Sequence, residues 1–257
     1  MTDFTQEEIS FSSQILNASL NIKIAYPVQQ TALTCIYLLD ANYFFDDSPG
    51  LLDEFLKRGP GMLHTVQTLM AQQAIPPSML IGIGYTEEQR NPFTRDNADL
   101  FYNFFKQEFI PYIESHYPVS KIGSDRVIFG YSSSAHFSMY TLMDDVYRHQ
   151  MNFGKFISIA GVYYPWLLAY QSEEKISQDR ASFSFDGRKL YMAIGSEDEK
   201  DQLRKHFHPF VAKLQERHYE DFQWTNEIYD GYSHYYIPED AFRNGLIWLF
   251  SDRRPNQ

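Results

Sequence analysis

The sequence predicts an α/β fold: a three-layer α/β/α sandwich with a mostly parallel sheet and an antiparallel hairpin at the N-terminal edge. Three observations predict it. Short, nearly continuous apolar runs recur along the chain, as strands buried on both faces require. Segments with helical spacing separate those runs, which implies right-handed crossovers and helices on both faces of the sheet. The first thirty residues instead alternate with a period of two around a turn signal, the pattern of an antiparallel pair.

The elements follow in order. "ISFSSQIL" and "LNIKIAYP", joined by "NAS", form the hairpin, and "TCIYLLD" is the first buried strand. "MLHTVQTLMAQQ" reads as a helix and "SMLIGIGY" as the next strand. "ADLFYNFFKQEFIPYIESHY" is a long helix with Leu100, Phe104, Phe105 and Phe109 on one stripe, running on past Pro111. "RVIFGYS" is a strand that turns at a serine run into a further helix, and "KFISIAGVYY" and "KLYMAIGS" are two more strands. "QLRKHFHPFVAKLQERHY" is helical and "FQWTNEIYD" is the last strand. The last helix, "PEDAFRNGLIWLFSD", opens with Pro238 at a helix-start position and acids in its first turn. No repeat, low-complexity tract or linker interrupts the chain, so residues 1–257 read as one domain.

Two connections are longer than simple links. "GYTEEQRNPFTRDN" follows the second buried strand, and "YYPWLLAYQSEEKISQDRASFSFDG" precedes "KLYMAIGS". Both leave the carboxyl edge of the sheet, where ligands bind in open α/β folds. Trp166, Leu167, Leu168 and Tyr170 in the longer one predict a small lid over residues 162–187.

Composition narrows the function classes. The net charge is −11 and the basic residues are scattered, so no patch matches a phosphate backbone and nucleic acid is not an expected partner. No apolar run reaches the ~18 residues of a membrane helix. The start, "MTDFTQEEISFSSQ", has neither a basic segment nor an apolar core, so no secretory signal is read and a cytoplasmic protein is expected. Cys35 is the single cysteine and reads as a buried hydrophobe. With 19 Tyr and 21 Phe, a ring-lined interior or cleft is expected. No feature sets an oligomeric state.

The serine run decides the chemistry. A strand turning sharply into a helix can present a serine at the apex, provided the residues two before and two after are small, because the two backbones nearly touch. Ser132 has Gly130 before it and Ser134 after it. Ser133 has Tyr131 before it, and Ser134 has His136 after it, so only Ser132 fits. Gly-x-Ser-x-small arises by composition in about one chain in four of this length, so context must carry the assignment. The context is a buried strand before, a helix after, and partners in the order acid then histidine. Of eight histidines, only His234 stands in a turn-rich loop, "IYDGYSHYYIPED", between the last strand and the last helix. It is the predicted general base. After "KLYMAIG" come Ser196, Glu197, Asp198 and Glu199; Asp198 is the first choice for the carboxylate that orients the imidazole, Glu197 the second and Glu199 the third. Backbone donors for an oxyanion are expected from Ser133 and from Asn42 or Ala41 in "YLLDANYFFDDSPG".

These motifs resemble the esterase family of α/β-hydrolases that includes esterase D and the siderophore esterases cleaving enterobactin and bacillibactin. The likeness covers nearly the whole chain. "YLLDANYFF" stands for a strand ending Leu-Leu-Asp-Gly, with Ala41 at the glycine; "AIPPSMLIGIGYT" matches a strand ending Gly-Ile-Gly, followed by an arginine at Arg90. "FIPYIESHYPVS" is similar to the family's next helix, and "GYSSSA" occupies the place of Gly-His-Ser-x-Gly-Gly. Tyr131 thus replaces a histidine, and Ser134-Ala135 replaces two glycines. The resemblance implies an α/β-hydrolase fold and a serine hydrolase of small-molecule carboxylic esters, with no metal or organic cofactor. Ser132, His234 and Asp198 carry the chemistry, and Tyr131, Arg90 and Trp166 are expected at the substrate, with Arg90 and Arg95 suited to an anionic one. The alternatives are a binding protein that kept the fold without turnover, as Ser134-Ala135 would permit, and a metal-dependent hydrolase using His206 and His208. The second is disfavoured because residues two apart on a helix point away from each other.

Overall fold

A computed structural model describes residues 3–28, 30–46, 60–200 and 203–251, with the side chains of 199, 200, 203 and 204 left out. The strands are β1 (Phe4–Ser13), β2 (Ala18–Pro27), β3 (Thr34–Leu39), β4 (Ser78–Gly84), β5 (Val127–Tyr131), β6 (Lys155–Ile159), β7 (Lys189–Gly195) and β8 (Gln223–Tyr229). They form one sheet in the order β1-β2-β4-β3-β5-β6-β7-β8. The β1–β2 and β2–β4 pairs are antiparallel and the rest are parallel. Both the hairpin and the parallel majority are therefore as the sequence predicts.

Helices cover both faces: α1 (Ala41–Phe44), α2 (Gly61–Ala71), α3 (Glu87–Asn91), α4 (Ala98–Phe104), α5 (Ile110–His116), α6 (Ser133–Tyr147), α7 (Leu168–Gln178), α8 (Leu203–Arg217) and α9 (Pro238–Phe250). The continuous apolar runs are explained by two separate cores. Along β3, Cys35, Tyr37 and Leu39 enter the core under α4–α8, while Ile36 and Leu38 enter the core under α1, α2 and α9. Most of the described aromatic rings fill the first of these. Phe101, Phe104, Phe105, Phe109, Phe137 and Phe153 are all fully buried and meet edge-on, stacked or tilted, with Phe101 and Phe137 only 4.8 Å apart at 46°. Each such pair adds about 0.5–1.5 kcal/mol beyond the area it buries.

The long helix before β5 departs from its expected stripe. Leu100 is 42% exposed and Phe101 takes its place in the core. A π-helical turn follows at Phe105–Phe109, with Ile110 N–H bonding to the Phe105 carbonyl five residues back. Pro111 follows at once; it has no N–H to donate, so the wider turn absorbs the break and the helix continues.

Both long connections fold into structure. The first makes α3, opened by a Thr86–Gln89 capping box, and a π-helical turn at Pro92–Asp96. The second contains α7, and of the four residues expected to form a lid only Trp166 is strongly exposed, while Leu167 and Ala169 are buried. Helix α7 is fixed from two sides. Glu173, fully buried, meets Lys213 (3.2 Å) and Arg217 (3.4 Å) of α8 and accepts from the Tyr219 phenol (2.6 Å). On the other side, Ala169 N–H donates to His136 Nε2 on α6 (3.2 Å), and His136 Nδ1 therefore carries the proton and donates to the Thr94 carbonyl (3.0 Å). One neutral imidazole thus joins α6, α7 and the 92–96 turn. No helix among the described residues is long and apolar enough to cross a membrane.

Burial lowers the pKa of His136 from 6.5 to about 4. The unfolded chain therefore takes up this proton first. Stability should fall by up to about 1.4 kcal/mol per pH unit as pH drops below about 6.5, levelling near pH 4. Thermal unfolding from pH 7 to pH 4 is expected to show a shallower acid loss for His136→Gln than for wild type; equal slopes would contradict this.

Candidate active site

The site is built at the carboxyl ends of β5, β7 and β8. At the end of β5 the chain reverses at Ser132, whose φ of 57° and ψ of −114° lie in a region a residue with a side chain seldom occupies. The reversal brings helix α6 back across its own strand. A Cβ at Gly130 would stand 2.1 Å from the Ser134 carbonyl oxygen, so no other residue fits there. Helix α6 starts at Ser133, directly after the apex. Its first N–H groups have no intrahelical partner and its positive dipole end faces the Ser132 hydroxyl.

His234 reaches this serine from the loop after β8. Its Nε2 lies 3.2 Å from Ser132 Oγ. Tyr131 carries the imidazole from below: its phenol donates to the His234 carbonyl (2.9 Å), and the two rings lie 4.8 Å apart at 33°. Tyr131 was expected as a substrate wall. At 3% exposure it is instead a support for the histidine.

Asp198 faces the other imidazole nitrogen, with Oδ1 3.6 Å from His234 Nδ1. Both atoms are buried and have no other hydrogen-bond partner. The gap is a few tenths of an ångström beyond a hydrogen bond, and such contacts commonly shorten when substrate binds. Of the two rival acids, Glu197 is exposed and the Glu199 side chain lies outside the described residues. Asp198 Oδ2 accepts from Gly195 N–H (3.4 Å). The acid and histidine loops are joined directly: Glu197 N–H donates to the Tyr232 carbonyl (3.0 Å) and Gly231 N–H to Ser196 Oγ (2.8 Å). A Cβ at Gly195 would meet that Tyr232 carbonyl at 2.1 Å, so the glycine ending β7 is what lets the histidine loop cross.

The other expected residues divide. Asn42 lies in the first turn of α1, where backbone N–H groups have no intrahelical partner, and its side chain donates to the Tyr85 carbonyl (2.6 Å). The rest of its loop, residues 47–50, lies outside the described residues. Arg90 was expected at the substrate. It turns inward, donating from Nε to Asp40 Oδ1 (2.7 Å) and from one terminal nitrogen to Asp40 Oδ2 (3.2 Å) and the Tyr131 carbonyl (3.1 Å). Burial opposes its charge, but the Asp40 carboxylate outweighs that and holds its pKa above the ordinary arginine value. Arg95 pairs with its neighbour Asp96 (2.9 Å). Trp166 is 66% exposed and stacks on Tyr164 at 4.7 Å, with His206 edge-on to both rings. His208 is exposed, and among the described residues no cluster of three or more His, Cys, Asp or Glu could hold a metal. Sequence reasoning missed Asp40. Its signals were the place it holds in "YLLDANYFF" and an acid directly after a buried strand.

The chain is similar to known proteins in family and in fold. Residues 13–248 match the family described as Putative esterase. The uncharacterized protein YbbA of Bacillus subtilis (strain 168) is 23% identical over 258 residues, covering 92% of this chain and 93% of that one. Among solved structures, the IroE-like serine hydrolase from Shewanella oneidensis has a similar fold, with TM-score 0.74, 19% identity, and coverage of 98% of this chain and 82% of that one. The enterobactin esterase FES from Shigella flexneri is also similar, with TM-score 0.72, 18% identity, and coverage of 96% and 60% respectively. These structures share the α/β-hydrolase fold, and the match over residues 13–248 places this chain in the Putative esterase family, whose members are ester hydrolases.

Proposed function

We propose that Ser132 is the nucleophile of a serine esterase that works through an acyl-enzyme, with His234 as general base and Asp198 as the carboxylate that orients it. The observation carrying this reading is the 3.2 Å approach of His234 Nε2 to a hydroxyl raised at a reversed backbone. In the first half-reaction Ser132 Oγ bonds to the ester carbonyl carbon as its proton passes to His234 Nε2. The carbonyl oxygen becomes an oxyanion, met by the N–H groups of Ser133 and Asn42 and by the dipole of α6. As the tetrahedral species collapses, the C–O bond to the alcohol breaks and the alcohol leaves with the proton from Nε2. Water then attacks the acyl group, giving its proton to His234, and the acid departs as Ser132 recovers its hydrogen. The imidazolium formed in each half draws Asp198 across the present 3.6 Å gap, so the acid is most useful at the moment charge develops.

The substrate is a small-molecule ester. Exposed Trp166, stacked on half-buried Tyr164 on the loop after the neighbouring strand β6, supports an ester with a flat ring. Segment 162–187 would contribute this rim while its helix stays clamped between α6 and α8. The single cysteine, buried in β3, fits work in the cytoplasm.

An ester panel with varied acyl and alcohol parts, run on wild type and Ser132→Ala, tests the reading. Wild type should turn over at least one ester class and Ser132→Ala should lose about 10⁴- to 10⁶-fold in kcat. Equal rates would remove Ser132 from the mechanism. Asp198→Asn is expected to lower kcat by about 10³- to 10⁴-fold with a smaller change in KM, because the imidazole loses its orientation and counter-charge. A wild-type rate in this variant would assign the acid elsewhere.

A further inference from the structure

A fully buried carboxylate lies behind the reversed backbone, outside the Ser132–His234–Asp198 line. Asp40 follows β3, itself has a positive φ of 59°, and heads the one-turn helix α1 that carries Asn42. Its two oxygens accept four hydrogen bonds. Oδ1 takes the Tyr85 phenol (2.7 Å) and Arg90 Nε (2.7 Å); Oδ2 takes an Arg90 terminal nitrogen (3.2 Å) and the Ser134 hydroxyl. Burial and the adjacent carboxylate push the Tyr85 phenol well above its ordinary pKa, so it remains a donor.

The same groups hold the residue just before the apex. Tyr131 N–H donates to Ser134 Oγ (2.7 Å), and the Tyr131 carbonyl accepts from Arg90 (3.1 Å). A hydroxyl has one proton and two lone pairs. Ser134 therefore accepts from the Tyr131 N–H and offers its one proton to the Asp40 carboxylate, with the Tyr131 carbonyl as a second acceptor at 2.9 Å. It occupies the position where the family pattern has glycine, yet it is fully buried and hydrogen-bonded on both sides. Two peptide segments meet at this point, one carrying the Ser133 N–H and the other the Asn42 N–H.

We propose that Ser134, Asp40 and Arg90 form a positioning cluster that holds the elbow and the α1 turn in register, so that the two oxyanion donors point at one place. It rests on the reading of Ser132 as nucleophile. The cluster touches neither substrate nor reacting atoms and acts through the peptides on either side of Ser132. It gives the serine at 134 a purpose: the hydroxyl links the two segments, where glycine would only leave room.

Ser134→Ala deletes only this hydroxyl, and Ser134→Gly restores the small residue of the family pattern. Arg90→Lys, at a partly exposed position, keeps the charge beside Asp40 but loses the fork that spans Asp40 and Tyr131. Each variant is compared with wild type by thermal unfolding, by kcat and KM on an aryl acetate, and by the rate at which a fluorophosphonate labels Ser132. The cluster predicts folded variants whose kcat and labelling rate both fall about tenfold to a hundredfold while KM moves less than about threefold. Folded Ser134→Gly and Ser134→Ala proteins at the wild-type kcat would overturn the proposal, and so would a loss expressed only in KM. If one serine variant does not fold, the same kcat and labelling criteria apply to Arg90→Lys. Wild-type protein that neither hydrolyses the ester nor takes the label is a different failure, that of the nucleophile assignment beneath it.

Discussion

The proposed active site depends on one unfavourable turn of backbone at Ser132. A residue with a side chain is held at φ 57° because strand β5 and helix α6 cross there with almost no space between them. Such a conformation costs on the order of 1–3 kcal/mol and persists only where its surroundings over-determine it. They do so here. The strand before it is buried on both faces, the helix after it is buried over nearly its whole length, and Ser132 N–H is fixed to the Ile159 carbonyl at 2.8 Å.

The other parts of the site are arranged around that point by equally local constraints. Gly195 lets the histidine loop pass over the end of β7, and the acid loop then bonds to that same loop. Acid and base are thus brought together by their own backbones before either side chain is considered. Tyr131, directly before the serine in sequence, supports the histidine from a hundred residues away. A change at one of these positions is therefore felt at all three. The clamped α7 adds a firm flank, anchored by His136 to α6 and by Glu173 to α8.

Much of this was legible in the sequence because the signals are local. Period-two alternation located the hairpin, unbroken apolar runs located strands covered on both faces, and the size of the residues flanking each serine singled out Ser132. His234 stood out by the company of turn residues. What was not legible comes mostly from partners distant in sequence. Arg90 was placed at the substrate because its partner, Asp40, is fifty residues away, and no local pattern reports that pairing. Tyr131 looked like a wall for the same reason, its partner being His234. Leu100 was placed on the apolar stripe, but at 100° per residue it lies about 140° around the helix from Phe105, whereas Phe101 lies only about 40° from it. Helix α7 was read as loop because its buried positions include Ser172 and Glu173, and Glu173 is buried only through cations supplied by α8.

The elbow's role is tested most directly by a crystal structure of the protein after reaction with an aryl phosphonate. The expected density is continuous from Ser132 Oγ to phosphorus, with the phosphoryl oxygen within hydrogen-bonding distance of the Ser133 and Asn42 N–H groups and His234 drawn against Asp198. An adduct on another residue, or one at Ser132 with its oxygen facing away from those two amides, would contradict it.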